Sequence, residues 1–264
     1  MNRPPDRSLS EVAGTLRGMA RPVVALLLGL VLAALAGCDL DVQVADPVAP
    51  ASVPGAAAPA TRATGRTPVP DVDVAAARVA LATLRVKGRA PMTGYDRDAF
   101  GPAWSDDTDD LWGHNGCDTR NDVLRRDLVD VTLDERTHGC VVLTGTLHDP
   151  YGGAPIPFVR GVGTSIAVQI DHVVALGDAW QKGAQQWSAQ RRRDFANDPL
   201  ELLAVDGPLN ASKGDGDAAT WLPPYKPFRC AYVARQVRIK RAYDLWVTAA
   251  ERAAMARVLD SCAG

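Results

Sequence analysis

Ile166-Ala167-Val168-Gln169-Ile170-Asp171-His172-Val173-Val174 decides how this chain is read. The apolar, β-branched part is strand sequence, and it runs directly into an adjacent acid and imidazole. A helical connection follows, and Asn197-Asp198-Pro199-Leu200-Glu201-Leu202-Leu203-Ala204 opens a second apolar strand from Leu200 to Val205. Asn210-Ala211-Ser212-Lys213-Gly214-Asp215 then predicts a short helical turn. The order is strand, long connection, strand, helix, with polar residues where the elements meet.

That order is the layout of a ββα-metal finger, and its residues suit phosphodiester hydrolysis. A metal ion neutralises charge on the scissile phosphate and stabilises the leaving oxygen. A carboxylate and an amide oxygen, Asp171 and Asn210, are hard ligands suited to one Mg²⁺ or Mn²⁺ ion. A water must lose a proton near neutral pH, and the unperturbed pKa of a histidine, about 6.5, fits His172 to that task. Asn197, one strand away, holds the imidazole or the connecting loop in place.

Outward from this centre the elements alternate. Residues 71–86 predict a helix with a Gly88 stop, 95–118 an ordered loop rich in Asp, Gly and Trp, and 118–128 a short helix. Segments 129–133, 140–147 and 156–162 have strand character, the first two as a hairpin. Residues 178–195 read as helical and 230–247 as a second helix. Thr248-Ala249-Ala250-Glu251 is a capping box that opens the last one. The expectation is a single α+β domain over 71–264, a ββα-metal (HNH) finger embedded among flanking helices and stapled by disulfides.

The N-terminus differs in kind. Arg3, Arg7, Arg17 and Arg21 precede an uncharged run, Pro22 to Gly37, that ends at Cys38. The run is short for a membrane-spanning helix, which needs about 20 apolar residues. A basic region, an apolar stretch and small residues before a cut make an export signal. Leu35-Ala36-Gly37-Cys38 resembles the bacterial lipobox, so residues 1–37 read as a lipoprotein signal peptide with Cys38 lipidated. Translation starting at Met19 gives an equally well-proportioned signal. Residues 39–70 hold six Pro and eight Ala among 32 residues, too little apolar bulk to fold, and predict a stiff disordered tether. The protein is thus expected on the outer face of the membrane, or secreted, touching the membrane only through its lipid.

With Cys38 set aside, Cys117, Cys140, Cys230 and Cys262 form an even set in an oxidising compartment. Three pairings are open; Cys117–Cys140 and Cys230–Cys262 are favoured because each closes a local segment. No CxxC occurs, which argues against a zinc site. The 264 residues carry 29 Lys plus Arg against 31 Asp plus Glu, a net charge of −2, which excludes a polybasic, histone-like protein. The balance is uneven, however. Residues 38–179 hold 12 basic and 20 acidic groups, whereas 180–264 hold 13 basic and 9 acidic. A basic C-terminal half beside the strand-end His suits an anionic polymer, DNA in preference to RNA.

Asp171-His172, Asn197 and Asn210-x-x-Lys213-Gly214-Asp215 resemble the His-Asn-His (HNH) nuclease superfamily. Further motifs narrow the resemblance: Tyr95-Asp96-Arg97, Phe100-Gly101-Pro102-Ala103-Trp104, Cys117-Asp118-Thr119-Arg120-Asn121-Asp122, Gln169 to Leu176 and Asp198 to Leu202. Together these stretches are similar to the secreted actinobacterial branch of the domain found at the C-terminus of GmrSD-type restriction enzymes. The resemblance implies His172 as general base, Asp171 and Asn210 as metal ligands, and Asn197 as the orienting residue. Asn210 stands where the superfamily carries its final His, which leaves Asp215 and Asp217 as substitute ligands. Lys213 is implied as a phosphate contact, with Arg120 and Asn121 completing the cleft.

Other features take plainer readings. The Asp106-Asp107-Thr108-Asp109-Asp110 run lacks EF-hand spacing and its Gly, and reads as a solvated acidic loop. His114, His138 and His148 lack a companion carboxylate pattern and read as structural, and the six Trp read as mainly core. Two functions compete: a monomeric, metal-dependent endonuclease, or a catalytically inert envelope lipoprotein that uses the same fold to bind a partner.

Overall fold

A ribbon of two antiparallel strands divides the molecule. The computed structural model describes residues 73–262, all within one compact unit, Pro59–Gly264; the expected export signal, Cys38 and the expected tether lie outside the described residues. The ribbon strands are β4 (Val168–His172) and β5 (Leu202–Asp206), in register with Asp171 opposite Leu203 and His172 opposite Leu202. Alternation along them feeds two cores. Val168, Ile170, Leu202 and Ala204 enter one apolar cluster; Leu203 and Val205 enter the other.

The first cluster lies under a three-stranded antiparallel sheet of β1 (Leu128–Leu133), β2 (Val142–His148) and β3 (Pro155–Val159). Helix α2 (Thr119–Asp127) packs there through Val123 and Leu124. Its start is set locally: the Asp118 carboxylate accepts from the Asn121 amide at 2.8 Å, capping otherwise unpaired donors. The second cluster is helical. It joins α1 (Val74–Thr83), α3 (Leu176–Gln181), α4 (Ala189–Asn197), α6 (Arg229–Ala242) and α7 (Ala249–Asp260). Helix α5 (Gly207–Lys213) follows β5 directly.

Both expected disulfides are present. Cys117–Cys140 ties the entry of α2 to the entry of β2, and Cys230–Cys262 ties α6 to the end of α7. With separations of 23 and 32 residues, each restricts the unfolded chain by about 3–4 kcal/mol. The capping box at Thr248 and Glu251 forms as expected.

Three boundaries differ from expectation. The expected helix 178–195 is broken into α3 and α4 around Gly183, which sits at φ +139°. That φ strains any residue with a side chain, and a Cβ there would also press on Leu245 at 3.3 Å. Helix α1 stops at Thr83, well before Gly88, because Val86 bridges to Val247 and the Lys87 amide donates to the Val247 carbonyl at 3.0 Å. Helix α6 ends at Ala242, and Asp244 at φ +56° turns the chain so that Leu245 and Val247 reach the core. No helix among the described residues is long and apolar enough to cross a membrane.

Candidate functional site

His172 ends β4, and strand alternation turns it to the same side as Val168 and Ile170, while Asp171 turns to the other. The imidazole is buried, 7% exposed, and lies parallel to the Trp104 indole with ring centroids 6.1 Å apart. Its Nε2 sits 3.0 Å from the Ala196 carbonyl. A carbonyl only accepts, so Nε2 carries the proton of the neutral ring and Nδ1 is left with the lone pair.

This ring faces a cavity of about 130 Å³ whose other walls include Arg97, Trp104, Leu176 and Asn197. At about 30 Å³ per water the space takes a few waters or a group the size of a phosphoryl. Arg97 opens a short 3-10 turn, Arg97–Phe100, that Asp96 caps by accepting from the Asp98 amide. Its guanidinium is exposed and, among the described residues, carries neither ion pair nor hydrogen bond. Asn197 closes α4. Its Nδ2 donates to the Arg193 carbonyl at 2.9 Å, and its Oδ1 is buried without a partner among the described residues.

Burial pushes the His172 pKa from 6.5 down to about 3; the positive charges of Arg97 and Lys213 add to this, and the Ala196 carbonyl opposes it. The ring is therefore neutral and able to accept a proton across the ordinary pH range. The depressed pKa also links folding to pH. Above about pH 6.5 neither the folded nor the unfolded ring binds a proton, and the full stability is present. As pH falls from 6.5 to 3 only the unfolded ring gains one, so stability is lost, on the order of 4–5 kcal/mol for a shift of this size. Urea unfolding of the parent and of His172→Gln across that range should show the variant losing distinctly less stability. Parallel curves would refute the assignment.

On the opposite face of β4 the groups are paired among themselves. Lys213 donates to Asp171 Oδ1 at 2.9 Å and to the His172 carbonyl at 2.7 Å, and the Tyr151 hydroxyl donates to Asp171 Oδ2 at 2.5 Å. Glu201 accepts from the Val174 amide at 2.9 Å, and complete burial holds its carboxyl well above the usual range. Asp171 and Lys213 are 5% and 4% exposed. Among the described residues no three His, Cys, Asp or Glu are placed to hold a metal ion.

A family model for the C-terminal domain of GmrSD restriction endonucleases matches residues 118–258. The chain belongs to this family. It is also 36% identical over 205 residues, 77% of its own length and 93% of the other's, to an uncharacterized secreted protein of Arthroderma benhamiae. No solved structure matches. The family match takes in His172, Asn197, Asp171 and Asn210, whereas Arg97 and Trp104 precede it.

Within this family member the expected site divides in two. His172 and Asn197 come together at the cavity. Asp171 and Lys213 come together on the other face, where Lys213 is a buried ion-pair partner and not a free phosphate contact. Asn210 donates to Gln169 Oε1 at 2.9 Å, and neither Asn210, Asp215 nor Asp217 lines the cavity. The expected pair of metal ligands, Asp171 and Asn210, therefore does not fit an ion in this arrangement: the Asp171 charge is met by Lys213 and its second oxygen by Tyr151. Arg120 and Asn121 do not complete the cleft either. Arg120 donates to the Val168 carbonyl at 3.2 Å, and the Asn121 side-chain oxygen accepts from Arg160 at 2.6 Å and from the Val142 amide at 3.0 Å. They brace α2 against the strands.

Trp104 is an exception to the reading of the tryptophans as mainly core, since it is half-buried and covers His172. Arg97, 75 positions before His172, stands in the Tyr95-Asp96-Arg97 motif of the resemblance, but nothing local to that motif assigns it to the His172 cavity. Lys182 and Lys240, fully buried beside Asp178, Asp217 and Glu251, have no sequence signal beyond lying in apolar surroundings.

Proposed function

We propose that this domain is an endonuclease that hydrolyses phosphodiester bonds, with His172 as the base. The observation that carries the reading is a neutral imidazole anchored at Nε2, with its other nitrogen free, beside a small cavity that also has the unpaired Arg97 at its wall. A diester phosphate at the mouth places its negative charge on Arg97. That charge also raises the His172 pKa towards a useful value, because a nearby anion favours the protonated ring. Nδ1 then takes the proton of a water in the cavity, which attacks phosphorus in line with the leaving oxygen; the bond to that oxygen breaks as the new one forms, and the departing oxygen takes a proton from solvent. The Asn197 Oδ1, an unused buried acceptor, orients that water. Each of these steps uses groups of this chain alone. An Mg²⁺ or Mn²⁺ ion held by Asp171 would need Lys213 to leave that carboxylate.

Membership of a restriction-endonuclease domain family supports this reading, as does the basic C-terminal half. The narrower placement, in a secreted branch with Cys38 lipidated and the tether outside the membrane, is part of the same proposal. It is supported by the signal-like N-terminus and by a relative whose name includes "secreted". The inert-lipoprotein reading draws on the occupied Asp171.

Digestion of plasmid and of labelled oligonucleotides, with EDTA and with Mg²⁺ or Mn²⁺, separates the two. The parent is expected to cut, and Arg97→Ala to lower kcat/KM about 100-fold, as for loss of one stabilising donor at developing charge. A parent that cuts nothing under any condition would overturn the enzyme reading.

A further inference from the structure

The segment that carries Asn197 continues straight into a second, larger concavity. A groove of about 590 Å³ runs between α1 and α6, floored by Ala77, Ala80 and Ala231 and closed at one end by Pro199 and Leu200. That volume is within the range of roughly 300–1,000 Å³ typical of ligand sites. Four arginines line it: Arg126, Arg235, Arg238 and Arg241. Its one acid, Asp73, caps α1 by accepting from the Ala76 amide at 2.8 Å. Arg126 is paired with Asp127 at 2.5 Å, so the positive charge of the groove comes from Arg235, Arg238 and Arg241 over a small-residue floor.

The arginines do two different things. Arg126 donates to the Pro199 and Leu202 carbonyls at 2.6 and 2.7 Å, and Arg235 to the Leu200, Pro199 and Leu202 carbonyls at 2.6, 3.0 and 2.8 Å. They fix the segment that follows Asn197. Arg238 and Arg241 are exposed, and among the described residues neither has an ion pair or a side-chain hydrogen bond. Being three positions apart, they share one side of α6. Lys240, between them, is buried in ion pairs with Asp178 and Glu251. The basic run on this helix therefore divides into a buried cation and a pair of free ones directed at the groove.

The groove also adjoins the cavity. Asn197 lines the cavity and Pro199 lines the groove. Their Cα atoms are at most about 7.6 Å apart, since neighbouring Cα atoms are about 3.80 Å apart. Phosphates of one duplex strand recur every ~3.4 Å along the axis, so a strand held at His172 reaches the groove within a few phosphates. We propose that the α1–α6 groove holds the nucleic-acid backbone on one side of the scissile phosphate, with Arg238 and Arg241 on successive phosphates and the alanine floor accommodating sugars. The proposal rests on the nuclease reading of the His172 cavity and extends it by a second, non-catalytic binding zone.

The test is fluorescence anisotropy of a fluorescein-labelled single-stranded oligodeoxynucleotide against His172→Gln protein, which binds without cutting. R238E/R241E and the milder R238Q/R241Q are built on that background, with thermal unfolding to confirm an intact fold. Both pairs are expected to weaken binding at least tenfold at low salt. The slope of log K against log[salt] should fall by about 1.4, because each phosphate that a cation neutralises on a single strand adds about 0.7 to it. Unchanged affinity and slope would overturn the groove. If the parent binds the oligonucleotide but cuts nothing, a reduced slope still supports the groove while the nuclease reading fails. If it neither binds nor cuts, both fall. Unchanged affinity with an altered association state in light scattering would assign the face to a second copy instead, and also overturn the proposal.

Discussion

Replacing His172 with alanine or glutamine lowers kcat for phosphodiester cleavage by about 10²–10⁴-fold, the usual contribution of a positioned general base. The two variants differ in what else they do. Alanine leaves the Ala196 carbonyl without its donor and opens space beneath Trp104, so some loss of stability accompanies the loss of rate. Glutamine offers an N–H to the same carbonyl but has no nitrogen lone pair to act as a base. An inactive and stably folded His172→Gln protein therefore isolates the chemistry. If either variant cuts at the parent's rate, the mechanism is wrong. The pH profile adds an independent reading. With the free-enzyme pKa at about 3, kcat/KM should show no acid limb near pH 6.5, where an exposed histidine would produce one. An acid limb in kcat alone, at higher pH than in kcat/KM, is the expected mark of a phosphate raising the base in the complex.

Lys182→Met is expected to destabilise the fold by about 3–5 kcal/mol. The Lys182 ammonium, wholly buried, lies 2.5 Å from Asp178, 2.8 Å from Asp217 and 2.6 Å from Glu251. Lys240 shares Asp178 at 2.9 Å and Glu251 at 3.0 Å, and Arg89 reaches Asp217 at 2.6 Å. Burial by itself would lower the Lys240 pKa, but Asp178 and Glu251 outweigh it and hold the ammonium above its ordinary value. Two buried cations, with Arg89 reaching in from the surface, thus balance three buried carboxylates. Removing one cation strands a buried negative charge, and methionine fills the stem's volume without replacing the ammonium. Against a typical domain stability of about 5–15 kcal/mol the loss is large. It should be read as a drop in the urea midpoint with unchanged m. A change below about 1 kcal/mol would show that the cluster is solvated or otherwise compensated. The cluster pins α3, which begins four residues after His172, to α6 and α7. Its loss is therefore also expected to loosen the cavity wall at Leu176.

Much of the ribbon and its surroundings was legible because the signals are local. Val168 to Ile170 alternate as a strand must, Asp118 and Thr248 cap helices through bonds three residues away, and an even set of four cysteines pairs. The break at Gly183 was not legible, because it depends on where Leu245 packs, some sixty residues later in the chain.

The candidate site divides in the same way. The sequence by itself determined that an acid and an imidazole stand side by side at a strand end, with Asn197 after the connecting helix. The period of a strand already requires Asp171 and His172 to face opposite sides. Only the tertiary structure decided which side is open to substrate. Asp171 meets Lys213 and Tyr151 in the interior, while His172 meets Trp104 and Arg97 from a loop about 70 residues upstream. The physical reason is that a side chain's charge partner and its access to water depend on which distant segments pack against it. Local sequence determines which groups are present and how they alternate, but it carries no information about those packing partners.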